Sequence, residues 1–235
     1  MTFKLLSTGN PKTLKGEKQG FMTYILHLAP ANLSGVMNTC PKATEGCKSA
    51  CLNTAGRGGM FRKGETTNVI QQARIRKTRY FKENRAGFLA DLISDIHKAI
   101  KQAARNGFTP VFRLNGTSDL AWEKYGIIDQ FPEVQFYDYT KIVGRKVSHL
   151  KNYHLTFSAA ESNQSDVKKA IEHGMNATVV FDKVPAEYIG RQVFDGDESD
   201  LRFLDPKGVV VGLKAKGRAK KDTTGFVVFM NKARG

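Results

Sequence analysis

A chain of 235 residues, 40% of them hydrophobic, can bury the core of one large domain and is too apolar to stay disordered. Its 37 lysines and arginines against 22 acidic residues leave a net charge of +15, which favours anionic partners such as nucleic acid, nucleotides or acidic proteins. No apolar run is long enough to cross a membrane as a helix, and residues 1–20 lack the apolar centre of a signal peptide.

The chain opens on a loop with Gly9, Pro11 and Gly16, and the run 22–28 (MTYILHL) then reads as a buried strand. All three cysteines, Cys40, Cys47 and Cys51, follow in a glycine-bearing loop over 38–59. Residues 67–85 turn helical and basic. From 88 to 104, Leu89, Leu92, Ile93, Ile96, Ile100 and Ala103 recur at helical spacing, an amphipathic helix that Gly107 ends. Strands are then expected at 110–114, 134–137, 153–157, 177–181, 209–213 and 226–230, with helices at 121–130 and 164–173. Short apolar strands alternating with helices imply parallel pairing. With about seven strands, and segments 142–152 and 185–204 too irregular for full helices, the expectation is a single-domain α/β fold over 1–235. A (β/α) barrel, not necessarily complete, fits better than an open sheet.

In such a barrel the active face forms at the C-terminal ends of the strands. Polar residues collect there at 115–119 (NGTSD), 137–141 (YDYTK), 158–162 (SAAES), 182–183 and 214–216. Asp119, Asp138 and Glu161 are therefore candidate catalytic residues, and Lys141 and Lys214 candidate contacts to an anionic ligand, on one face with the cysteine loop. Plainer roles stand beside these: Asp119 as a helix cap, Asp138 and Lys141 as an ion pair, and His27 and His154 as hydrogen-bonded core residues. The acidic run 195–200 lacks the twelve-residue pattern of a calcium loop. Two basic blocks, Arg57 to Arg85 and Lys207 to Lys221, fit either a solvated face or a nucleic-acid surface.

Three cysteines without an export signal suit a reducing compartment, the cytoplasm, where clustered thiols bind metal more often than they form disulfides. The spacing C-x6-C-x3-C stops one short of the usual four ligands and has no C-x2-C pair, and no histidine lies between Cys40 and His97. Zinc is thus the poorer fit. A [4Fe–4S] cluster with an open or non-cysteine fourth iron site is the expectation, with redox or Lewis-acid chemistry at that iron. An enzyme and a redox sensor both suit it. The alternative is a basic nucleic-acid-binding or host-interaction protein with a structural metal.

Three cysteines on the active face of a barrel resemble the arrangement of radical S-adenosylmethionine enzymes. Their C-x3-C-x2-C spacing is not matched, and no GGE-type sequence follows the second strand, which argues against S-adenosylmethionine as a ligand. The run 38–58 (NTCPKATEGCKSACLNTAGRG) resembles the signature of a bacteriophage family usually called gene product 88. The likeness continues through 113–119 (RLNGTSD), 137–141, 155–158 (LTFS), 195–197 (DGD) and 205–208 (DPKG). It implies a phage-encoded protein acting in the cytoplasm of an infected bacterium, and leaves the metal assignment to rest on the cysteines.

Overall fold

The computed structural model describes residues 4–8 and 13–230; Gly9 and Pro11 of the opening loop lie outside them. Strand β1 (Leu6–Ser7), helix α1 (Leu14–Glu17) and strand β2 (Phe21–Leu26) come first. The cysteine loop holds a five-residue helix, α2 (Glu45–Ser49), and two 3-10 turns, Leu52–Thr54 and Gly56–Gly59. Two helices follow end to end, α3 (Val69–Glu83) and α4 (Arg85–Arg105). The rest runs β3 (Thr109–Arg113), β4 (Gln135–Thr140), β5 (Tyr153–Ser158), α5 (Gln164–Glu172) and β6 (Ala177–Phe181). It ends with β7 (Glu187–Tyr188), β8 (Arg191–Asp195), β9 (Val210–Lys214) and β10 (Val227–Val228).

One sheet of ten strands takes the order β1-β2-β3-β4-β5-β6-β9-β8-β7, with β10 also on β6. From β2 to β8 the pairing is parallel, as the alternation of strands and helices predicts. The barrel expectation is corrected: the path ends on β1 at one side and β7 at the other, and these do not pair. Both edges are two-residue antiparallel strands, too short to template a further strand. The expected helix over 121–130 is also corrected to a single 3-10 turn, Trp122–Tyr125. The buried Trp122 indole donates to Leu114 O and Asn115 Oδ1, both at 3.1 Å, and Gly126 stops the turn at a φ of 64°.

Strand alternation sends side chains to two faces. On one, Tyr24, Phe112 and Phe136 occupy neighbouring register positions, with ring centroids 5.4 Å apart along the row. They pack against Phe81 of α3 and Phe88, Leu92 and Ile96 of α4. On the other, Val111 and Tyr137 pack against Leu201, and Phe203 stacks edge-on with Phe21. The segment carrying these two residues therefore fills the inner face. Strand β9 pairs along the whole of β6, while β5 reaches only Ala177 and Thr178. The edge left open at Val180 and Phe181 is taken by β10.

Candidate functional site

The C-terminal strand ends gather several of the candidate residues, each held by its own partners. Asp138 is fully buried and accepts from Asn115 N (2.8 Å) and the Tyr153 hydroxyl (3.0 Å), tying β4 to β5 and to the loop after β3. Burial pushes its pKa up to about 6, opposed by the Arg113 charge and the Asn115 N–H. Asp119 caps no helix. Its Oδ2 accepts from Lys141 N at 2.8 Å, its Oδ1 lies 3.8 Å from Arg145 Nη1, and burial raises its pKa. Glu161 accepts from Thr44 Oγ1 (2.6 Å) and Gly46 N (2.7 Å), so it fastens the start of α2 to the loop after β5. Burial would raise its pKa, but these donors carry it below the ordinary value.

Lys141 Nζ donates to Ser158 Oγ at 2.7 Å and sits 5.8 Å from the Phe226 ring centre, so it pairs with no carboxylate of Asp138. Lys214 is exposed and its backbone N–H donates to Asp197 Oδ2 at 3.2 Å. A cavity of about 340 Å3 between Tyr24, Leu6, Asp95 and Lys98 is lined by none of these residues.

Cys47 lies near enough to raise the pKa of Cys40, and both add to that of Cys51, yet the Cys40 and Cys51 sulfurs are engaged separately. Cys40 Sγ donates to Thr117 O at 3.7 Å, and Cys51 Sγ accepts from Asn53 N at 3.5 Å. Cys47 is set within α2, its N–H donating to the Thr44 cap at 3.2 Å. Burial raises the Cys40 pKa and pushes that of Cys51 up to about 11, so both stay as thiols at neutral pH. Among the described residues, no three His, Cys, Asp or Glu side chains converge to hold a metal ion. That overturns the iron–sulfur reading, its radical-enzyme-like arrangement, and the structural metal of the alternative. Proximity in sequence brought the cysteines together, but the Cys40 and Cys51 sulfurs meet different backbone partners.

The basic block beyond the cysteines is built differently. Asn68 is buried and caps α3, its Oδ1 accepting from Ile70 N (3.1 Å) and Gln71 N (3.0 Å). Its Nδ2 donates to the carbonyls of Arg57 (3.2 Å), Gly58 (3.0 Å) and Met60 (2.9 Å). Gln71 adds a bond to Gly58 O at 2.9 Å, and Arg74 holds Asn53 Oδ1 at 2.5 Å. Two glycines let the loop press this closely: a Cβ at Gly58 would lie 2.5 Å from Asn53 O, and one at Gly59 2.1 Å from Thr54 O. The chain is thereby pinned while Arg57, Met60, Phe61, Arg62 and Lys63 remain exposed. Along α3, Arg76, Arg79 and Lys82 are exposed as well, and no ion pair involves any of these six cations among the described residues.

The model of the family described as gene product 88 matches residues 4–229. The chain belongs to that family. For this gene product 88 member the match takes in the cysteine loop, the strand ends and the basic block alike, and bears out the resemblance to a phage family. No curated protein and no solved structure matches the chain. Among the described residues, no helix is long and apolar enough to cross a membrane.

Sequence reasoning singled out the cations of the basic block but missed Asn68, Gln71, Met60 and Phe61. The signal for Asn68 was present: an asparagine immediately before an apolar pair that opens a helix is a cap pattern. That its second function is to hold a loop eight to eleven residues upstream is a tertiary fact.

Proposed function

We propose that this protein binds nucleic acid through the surface formed by Arg57, Arg62, Lys63 and the outward row of α3. One observation carries the reading: a loop pinned by buried amide side chains presents cations that make no ion pair among the described residues, the Glu65 carboxylate accepting from the Arg62 backbone N–H. A disordered basic tail would lose entropy on binding; a loop already fixed at Asn68 has less to lose. The cations of α3 extend the same surface, since Arg76 and Arg79 lie three residues apart and share a helix face. Arg74 and Lys77, by contrast, serve the fold. Arg74 reaches back to Asn53, and Lys77 Nζ donates to Leu5 O at 2.6 Å. The net charge of +15 supports the same partner through long-range attraction. Such a role suits a phage-encoded protein working in the cytoplasm of an infected bacterium.

Fluorescence anisotropy with labelled DNA between 50 and 300 mM salt tests the reading. Binding should weaken linearly in log–log form, at roughly 0.7 to 0.9 per phosphate contact. The variant R57E/R62E/K63E should bind at least tenfold more weakly, with a slope shallower by about two contacts. Affinity indifferent to the triple charge reversal would refute the assignment.

A further inference from the structure

Resting on that reading, we infer that the surface selects single-stranded over duplex nucleic acid, because its cations flank, along the chain, exposed apolar side chains that unpaired bases can cover. Leu52 is 62% exposed, Met60 70%, Phe61 37% and Val69 75%, four of the large exposed apolar residues within eighteen positions. The backbone segments that carry them are tied together in space as well. Asn68, which precedes Val69, donates to the carbonyl of Met60, and Asn53, which follows Leu52, accepts from Gln71 and Arg74. Exposed apolar side chains grouped in this way mark a binding surface.

The charge around the group decides its occupant. Arg57 stands on one side of Met60 and Phe61 in the chain and Arg62 and Lys63 on the other, with Glu65 the nearest acidic residue. An apolar protein surface or a lipid core would gain nothing from those flanking cations, whereas a polyanion with apolar faces satisfies both parts. A duplex is a polyanion whose base faces are stacked inside, so it offers phosphates and leaves Phe61 and Met60 in water. A single strand offers the phosphates and a π-face on every base, and stacking on an aromatic side chain tolerates any sequence.

The loop architecture explains why these side chains do not fold inward. Gly58 and Gly59 press close to the carbonyls of Asn53 and Thr54, and the bond from Asn68 holds the Met60 carbonyl. Met60 and Phe61 follow directly and are exposed.

The test uses the intact protein, a labelled twenty-nucleotide oligothymidylate and a duplex of equal length, at 100 mM salt. Wild type should prefer the single strand by at least tenfold. M60A/F61A should lose about tenfold for the single strand and less than twofold for the duplex, and a thermal melt confirms that the variant is folded, since Phe61 is 37% exposed and partly covered. F61W should retain affinity, and its fluorescence should be quenched by the oligothymidylate; the protein's own tryptophan, Trp122, is fully buried and serves as background. If R57E/R62E/K63E weakens both ligands while M60A/F61A weakens neither or both equally, strand selection is overturned and nucleic-acid binding stands. If wild type binds neither ligand, or if the charge reversal changes nothing, both are overturned, and the patch belongs to another class of partner.

Discussion

His27 and His154 show how single residues set the response of this fold to pH. Burial, reinforced by nearby cations, lowers their pKa values to about 3 and about 4, so both are neutral in the folded protein near pH 7. In the unfolded chain each titrates near 6.5. Below that value the unfolded state binds more protons, and stability drains away as the pH falls toward 4. Asp138 acts in the opposite sense, since a folded pKa of about 6 lets the native state hold a proton that the unfolded chain releases above about 4. The histidines should dominate by number and by shift. Replacing both with glutamine should therefore recover about 1–2 kcal/mol per site of the stability lost between pH 7 and 4.5, read by urea denaturation at each pH. An identical acid loss in H27Q/H154Q would show that other groups control it. Their roles as half-buried neutral residues were legible from the apolar runs around them. The thiols were less so: three cysteines in twelve residues signal shared ligation only when backbone geometry turns the sulfurs together. With Cys40 and Cys51 both raised by burial, a disulfide reagent at pH 7.5 should modify two of the three thiols at least tenfold more slowly in the native than in the denatured protein. Three equally fast native thiols would contradict that placement.

Among elements, α2 is decided by what it must fit against. Gly46 lies where the loop after β5 and the approach to β10 meet, and a Cβ there would fall 2.2 Å from Thr224 Oγ1 and 2.7 Å from Phe226 Cβ. Thr44 caps the helix and also donates to Glu161, which accepts from Gly46 N as well. On the other side, Asp222 accepts from the backbone N–H groups of Thr224, Gly225 and Val227, fixing the turn that leads into β10. Crowding at this junction should make G46V cost about 1–3 kcal/mol and expose residues 43–52 to limited proteolysis. Unchanged melting and cleavage patterns would mean the three segments are not docked as described. The apolar run 226–230 marked the strand that becomes β10, but a five-residue helix carries too little periodicity to register, and the docking between the two was not readable. The long elements were: α4 and strands β2 to β6 follow apolar spacing closely, since each buries one continuous face. Strands β1, β7 and β8 are short or polar and left no such mark.

For the whole molecule, parallel strands in sequential order suggested closure, and what keeps the sheet open is visible only in three dimensions. Order departs from sequence after β6, where β9 takes the central place and β8 moves outward to end on the β7 hairpin. The connection between β8 and β9 then crosses the inner face and fills it. Leu201 and Phe203 supply its apolar contact, and Asp200 meets Arg113 Nη1 at 2.7 Å with both side chains largely withdrawn from water. Arg113 also lies 5.0 Å from the Tyr139 ring centre and 5.7 Å from that of Tyr137. A buried pair of this kind contributes little over an apolar replacement, but removing one partner strands the other charge. R113M and D200N should each therefore destabilise by about 3–5 kcal/mol, whereas R113M/D200L should recover at least half of that loss. Equal losses in the double variant and the sum of the singles would show that the two residues act independently, and that the connection is held on the sheet by Leu201 and Phe203 alone.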